Sequence, residues 1–261
     1  MIIVFVIAYN NQLYMSEKNL LSIPIHFSSR QEIFQKIDEN LKKEKKFLHI
    51  VSLNPEIAIL AQNNTDFKEV VSNAEIQICD GTGVYFACQF LGIFCKERVN
   101  GVDLMENILH NFHDRSLCIV LIGGKNDLAI NLAECYKNEY PKSRFYGLEG
   151  YKDIKNPTSG EENTLNELIS SLKPDIVFVA FGSPQQELGI GRHRALLGSS
   201  VCMGVGGGFD FLGKKVPRAP RFIRAMGMEW LFRLILQPWR IVRQVRLLEF
   251  VFAVTRQKVG I

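Results

Sequence analysis

PDIVFVAFGSP, residues 174–184, decides the fold. Its centre is apolar at every position rather than at alternate ones. A strand with one face in water alternates apolar and polar residues, so an unbroken run implies cover on both sides, the habit of parallel sheets. The run ends in Gly182, Ser183 and Pro184, a turn signal. Four more segments read the same way: FLHIVSL (47–53), AEIQICD (74–80), SLCIVLIGG (116–124) and SSVCMGVGGGFDF (199–211).

Helical patterns lie between them. Residues 28–46 carry apolar side chains at helical spacing behind Ser28 or Ser29 as N-cap, and NPEIAILAQNN (54–64) has Asn54 as cap with Pro55 in the first turn. VYFACQFLG (84–92), NDLAINLAECYKNEY (126–140) and QQELGIGRHRALLG (185–198) continue the alternation. NPTSGEEN (156–163) reads as an exposed loop. The predicted class is α/β, a Rossmann-like, mostly parallel sheet with helices on both faces. Three regions follow: an apolar extension over 1–15, a core over 16–213 and a basic helical appendage over 214–261.

The extension, beginning MIIVFVIA, is too short to cross a bilayer, which needs roughly 20 apolar residues. It lacks the basic start and small-residue cleavage site of a signal peptide, and Met15 stands as an alternative start. The six cysteines form no CxxC pair and read as free thiols in a reducing compartment. The histidines are scattered, and neither a zinc pattern nor a DxD pair is present, so no metal and no cofactor is expected.

In open parallel sheets the ligand lies at the carboxyl ends of the strands. Here those ends carry Ser52 and Asn54, Asp80 to Gly83, Gly123 and Gly124, Gly182 to Gln186, and Gly204 to Asp210. Asp80 in DGTG can act as a general base on a hydroxyl, or equally serve as a turn aspartate. GVGGGFD (204–210) offers backbone N–H groups to a phosphate, although it is not a dinucleotide fingerprint. GSPQQE (182–187) suits hydrogen bonding to a sugar or base, while Ser183 and Gln186 also resemble a capping box.

Charge divides unevenly. Residues 211–261 hold eleven Lys and Arg against two Glu, a net +9, while the whole chain is only +4. A helix is predicted over 228–236, interrupted at Pro238, with Ile241, Val245, Leu248 and Phe252 on one stripe beyond it. In one continuous helix Arg233 and Arg240 would share a face, with Arg243 near them. Three guanidiniums together fit a diphosphate, and the apolar stripe fits the acyl boundary of a membrane. A C-terminal helix with a solvated basic face is the plainer alternative. Nucleic acid is not expected, because the basic residues are tied to an apolar stripe rather than to an exposed stacking groove. In solution the apolar face could instead cover a second copy, giving a homo-oligomer.

IVSLNPE, CDGTGV, ERVNGVDL, LIGG, FVAFGSPQQE, GVGGGFDFLGKKVPRAP and MEWLFRLILQPWRIVRQ occur in that order. Together they resemble the bacterial WecG/TagA/CpsF glycosyltransferase family, over roughly residues 23–246. The resemblance implies inverting, metal-independent transfer from a UDP-sugar to a polyprenyl-diphosphate-linked sugar, peripheral on the inner face of the cytoplasmic membrane, in cell-surface polymer synthesis. N-acetylmannosamine or a related hexose is the implied sugar. Asp80 matches the family's proposed base, with Ser52 and Asn54 beside it, and Arg233, Arg240 and Arg243 match the arginines that complete its site. Substrate contacts are expected at Gly81, Thr82, Gly123, Gly182, Ser183, Pro184, Gln186, Glu187, Gly204, Gly206, Gly207, Asp210 and Arg218. One departure is visible: Gln185 stands where the family usually has lysine. A degenerate membrane-surface scaffold and a nucleotide-dependent oxidoreductase are the competing readings, and the latter lacks an intact GxGxxG unit.

Overall fold

The computed structural model describes residues 19–43 and 45–260, with side chains at all of these except 221, 225, 239, 242 and 243. The extension over 1–15 therefore lies outside the described residues, as does the side chain of Arg243.

Six strands form one all-parallel sheet: β3 (Leu48–Leu53), β4 (Ile76–Cys79), β5 (Cys118–Gly123), β6 (Arg144–Leu148), β7 (Ile176–Ala180) and β8 (Val201–Gly204), in the order β4-β3-β8-β7-β5-β6. A small antiparallel pair, β1 (Asn19–Leu20) and β2 (Ile23–Pro24), precedes them. The strand period of two sorts the core. Ile119 and Leu121 of β5 pack on one side with α1 (Arg30–Lys42), α5 (Gly101–Phe112) and α6 (Leu128–Glu139). Val120 and Ile122 pack on the other with α7 (Ser159–Leu172) and α8 (Gln185–Arg192). Over β3 and β4 that second side is covered by α2 (Pro55–Gln62), α3 (Thr65–Ser72) and α4 (Thr82–Leu91). The central strands are thus buried on both faces, as their unbroken apolar runs required.

Local signals set the boundaries. Ser29, not Ser28, caps α1 through a reciprocal bond with Glu32, and Asn54 caps α2 by accepting from the Ile57 N–H at 3.0 Å. The loop expected over 156–163 is half helix, because Thr158 and Glu161 form a capping box that starts α7 at Ser159. The capping box expected of Ser183 and Gln186 does not form: α8 begins after Pro184, and it stops at Arg192 rather than at 198. Two elements carried too little pattern to be seen. β6 (RFYGL) is a half-exposed edge strand, and α3 spans only two turns. Of the six free thiols, Cys135 is exposed, Cys95 half-buried and the rest buried.

After the short α9 (Gly208–Leu212), which still belongs to the core, the tail folds as α10 (Arg221–Ala225), α11 (Glu229–Leu236), a 3-10 turn (Pro238–Arg240) and α12 (Ile241–Val259). The helix breaks at Gln237–Pro238, since proline cannot donate and clashes with the preceding turn. The final helix is knitted into the molecule. Phe250 and Val254 are buried among Val51, Leu53, Ile57 and Cys88, Arg246 pairs with Glu56 of α2, and Gln257 bonds both Asn19 and Leu21 of the first hairpin.

Candidate active site

The carboxyl ends of β3 and β4 meet the start of α5. Cys79 ends β4, the Asp80 N–H bonds the Leu53 carbonyl at 2.9 Å, and Gly81 turns away with φ +82°. Only glycine holds that φ without strain. Asn100 caps α5, accepting from the Val102 and Asp103 N–H groups at 3.0 and 3.2 Å. The Val99 N–H bonds the Cys79 carbonyl at 2.9 Å, which brings the first helical residue, Gly101, close enough for its N–H to favour a charged Asp80. A Cβ on Gly101 would stand 2.8 Å from Ser52 Oγ, so this glycine is the close approach that lets Ser52 and Asp80 share one corner. Ser52 Oγ is buried with no hydrogen-bond partner. A buried hydroxyl left unpaired is costly, and one at a strand end is available to a ligand.

Asp80 is pushed up to about 7, first by burial, and then by the negative charges of Glu229 and Asp103; the Gly101 N–H and the Arg98 guanidinium oppose the rise. A carboxylate with proton affinity near neutrality suits general base work.

Glycine loops form the opposite wall. Gln186 Oε1 accepts from the Gly182 N–H at 3.1 Å and the Gly206 N–H at 3.0 Å, so one buried side chain ties the β7 and β8 loops together. Gly204 has no room for a Cβ, which would sit 2.5 Å from Gln186 Nε2. Glu187 is 1% exposed; Ser183 Oγ and Gln186 Nε2 donate to its Oε1 at 3.0 and 2.7 Å, Oε2 has no partner, and burial pushes the carboxyl up. Gln186 and Glu187 thus brace the loops from beneath, while Gly182, Ser183 and Pro184 are half-exposed. Gly123, φ +90°, lies against the Phe181 ring.

The tail arrives here. Arg233 reaches the Gly207 carbonyl at 3.5 Å with its guanidinium 4.1 Å over the Phe211 ring. A Cβ on Gly207 would meet Arg233 Nη2 at 2.9 Å, Asp210 Oδ2 at 3.3 Å and Arg240 Nη2 at 3.5 Å. So Arg233 and Arg240 converge despite the helix break, because the turn at Pro238 folds Arg240 back. Gln237 Oε1 holds its Nε at 2.5 Å. Arg218 lies elsewhere in the seam, bonding Asp103 at 2.5 Å and Glu106 at 2.9 Å with Glu229 at 3.6 Å. It fastens the tail to α5.

Sequence reasoning assigned no role to Arg98, Asn100, Gly101, Gly227 or Glu229. Thr82 Oγ1 donates to the Gly227 carbonyl at 3.2 Å, and Arg98 Nη2 donates to the Arg224 carbonyl at 3.0 Å. Asn100-Gly101 before Val102-Asp103 is a helix-start signal that could have located the corner. The seam contacts join residues more than a hundred positions apart and left no local signal.

The protein is 28% identical over 245 residues to the N-acetylglucosaminyldiphosphoundecaprenol N-acetyl-beta-D-mannosaminyltransferase of Bacillus subtilis (strain 168), covering 94% of this chain and 93% of that one. It is 30% identical to the enzyme of the same name from Bacillus spizizenii (strain ATCC 23059 / NRRL B-14472 / W23), covering 95% and 90%. Against that of Staphylococcus aureus (strain NCTC 8325 / PS 47) it is 31% identical, covering 81% of each. The family model described as "Glycosyl transferase WecG/TagA/CpsF family" matches residues 18–261, and the chain belongs to that family of glycosyltransferases.

Proposed function

We propose that this glycosyltransferase moves N-acetylmannosamine, or a closely related hexose, from a UDP-linked donor to a polyprenyl-diphosphate-linked N-acetylglucosamine at a membrane surface. The observation that carries the reading is the placement of Asp80 just past the carboxyl end of β4 and of Arg233 and Arg240 at Gly207, just past the carboxyl end of β8 in the same sheet. The names of the relatives supply the acceptor and the sugar.

The chemistry follows from the two walls. Asp80 takes the proton of the acceptor hydroxyl, and that oxygen forms a bond to the anomeric carbon from the side opposite UDP. The bond from that carbon to the β-phosphate oxygen breaks, and its electron pair leaves with UDP. Arg233 and Arg240 neutralise the charge developing there, and the glycine loop offers N–H groups to the diphosphate. Ser52 and Asn54 flank the acceptor hydroxyl, with Arg243 a further candidate for the diphosphate. Inversion follows from a single displacement, and no metal is required when guanidiniums carry the leaving-group charge.

Purified full-length protein would be offered UDP-linked N-acetylmannosamine, N-acetylglucosamine, glucose and N-acetylmannosaminuronic acid, with a short-chain polyprenyl-diphosphate-N-acetylglucosamine and EDTA. UDP release and a disaccharide lipid are expected with the N-acetylmannosamine donor. Donor binding without transfer from any of the four would overturn the reading in favour of a scaffold, and transfer only after a divalent cation is restored would overturn the metal-free step.

Membrane docking has its own support. No helix among the described residues is long and apolar enough to cross a bilayer. Yet Ile241, Val245, Leu248 and Phe252 of α12 are exposed, Leu248 by 71%. Phe86 and Phe90 of α4, with Phe94 beyond its end, are exposed alongside, and Lys258 lies 5.7 Å from the Phe90 ring. Arginines and lysines beside the stripe suit anionic headgroups. The double change Leu248→Ser and Phe252→Ser is expected to weaken co-sedimentation with phosphatidylglycerol vesicles at least about tenfold, since each buried apolar side chain is worth roughly 1.5–3 kcal/mol. Transfer to a soluble short-chain acceptor should survive. Unchanged sedimentation would place the lipid contact elsewhere.

A further inference from the structure

The seam between tail and core contains more than arginines. Glu229, the first residue of α11, is half-buried, and its Oε2 accepts from Asn100 Nδ2 at 3.3 Å. Asn100 is the cap of α5, and the residue before it, Val99, bonds through its N–H to the carbonyl of Cys79, the neighbour of Asp80, at 2.9 Å. One cap residue therefore stands between a carboxylate of the tail and the carboxylate proposed as base.

The charges around this corner do not cancel. Arg218 serves three carboxylates, Asp103 at 2.5 Å, Glu106 at 2.9 Å and Glu229 at 3.6 Å. The last contact is not a hydrogen bond: both Glu229 Oε1 and Arg218 Nε are buried without one. Arg224 adds a second cation on Asp103 at 3.3 Å, and Arg98 acts on Asp80 from the segment before α5. Three guanidiniums thus face Asp103, Glu106, Glu229 and Asp80. With Asp80 protonated the corner is neutral; ionising Asp80 leaves one negative charge in excess, in a site partly withdrawn from water.

We infer that Glu229 is a positioning residue that couples the seating of the tail on α5 to the protonation of Asp80. This inference rests on the reading of Asp80 as the base. When α11 is seated, Glu229 makes Asp80 a stronger proton acceptor, matched to neutral conditions. When α11 lifts away, Asp80 loses that neighbour, faces more water and becomes a weaker base. Linkage makes the coupling reciprocal: a proton on Asp80 favours the seated tail, including the proton it has just taken from the acceptor. The base is then strong only when Arg233 and Arg240 are also in place, so donor activation and proton removal share one switch.

Glu229→Gln keeps an acceptor for Asn100 and removes the charge. In a pH profile of kcat/KM for the full chain, the acid limb is expected to move to lower pH by roughly half a unit to one unit, the scale of one removed charge at short range near a protein surface. At pH 6 the variant would then keep roughly three to five times more of its own plateau rate than the unaltered protein. Glu229→Asp, which retains the charge, should leave the limb in place. A second readout needs no turnover. The only two tryptophans, Trp230 and Trp239, both lie on the tail, so intrinsic emission reports its seating. Emission of the unaltered protein should change as pH rises through 7, and Asp80→Asn should flatten that change. An acid limb unmoved in Glu229→Gln, or an emission titration that persists in Asp80→Asn, would overturn the coupling. Full transfer by Asp80→Asn would instead remove the assignment of Asp80 as base, which separates the two failures.

Discussion

Asp80→Asn is expected to lower transfer at least roughly 100-fold at pH 8, while donor binding, measured by calorimetry, stays within a few-fold of normal. General base catalysis is typically worth about that factor or more. The amide has nearly the carboxylate's size and leaves the backbone bonds of Asp80 to Leu53 and of Val99 to Cys79 intact, so the corner keeps its shape while losing its proton acceptor. Stability should move the other way. The carboxyl is raised from its ordinary 3.8 to about 7, so the native state disfavours its ionisation. A group raised in this way contributes stability at pH below 3.8 and loses it as pH climbs to 7. The uncharged amide of the variant carries no such loss. The melting temperature of the variant should match the parent near pH 4 and equal or exceed it at pH 8. Near-normal transfer at pH 8 would remove Asp80 from the proposed mechanism.

Gly227→Val should reduce transfer by two to three orders of magnitude without unfolding the sheet. Gly227 has φ +73°, a conformation that β-branched residues avoid, and a Cβ there would stand 1.9 Å from Thr82 Cγ2. No rotamer relieves an overlap that begins at Cβ, so the strap between α10 and α11 must lift. Thr82 then loses its bond to the Gly227 carbonyl, and Arg233 and Arg240 withdraw from Gly207. Losing electrostatic stabilisation of charge developing in the transition state costs about 10²–10³ in comparable sites. Deleting the tail is a poorer test, because it would also strip Phe250 and Val254 from the core. The point variant should keep its far-ultraviolet circular dichroism, with tail tryptophan emission shifted to the red. Retained transfer alongside such a shift would mean that the arginines act from the lifted position or not at all.

The strands that build the site were legible because burial on both faces writes itself as unbroken apolar runs, and four of them end in the glycines or the aspartate that line the cleft. β6 was not, since an edge strand with Arg144 and Gly147 has neither a run nor an alternation. The short cleft segments were readable one by one. Their partnerships were not: Gln186 bridging two glycine loops, or Thr82 meeting Gly227, are contacts between distant positions and follow only from the sheet order. Arg233 and Arg240 were paired by a continuous-helix argument that the break at Pro238 removes, and they meet at Gly207 by a different path. Arg218, expected among the substrate contacts by its motif, is engaged by Asp103 and Glu106.

The sheet order has a consequence for how the molecule is made. β8, the last strand of the sheet in chain order, lies between β3 and β7 at its middle. Until residue 204 has left the ribosome, the pair β3–β4 and the group β7-β5-β6 are separate ribbons, each with an open edge on the side where the other belongs. Long-range parallel pairing of this kind closes slowly and leaves strand edges available to other chains meanwhile. The two inner edges therefore stay open to pairing until that strand arrives. No earlier product has the strand ends of both ribbons side by side with Arg233 and Arg240 at Gly207, because these come together only after residue 240 has been made.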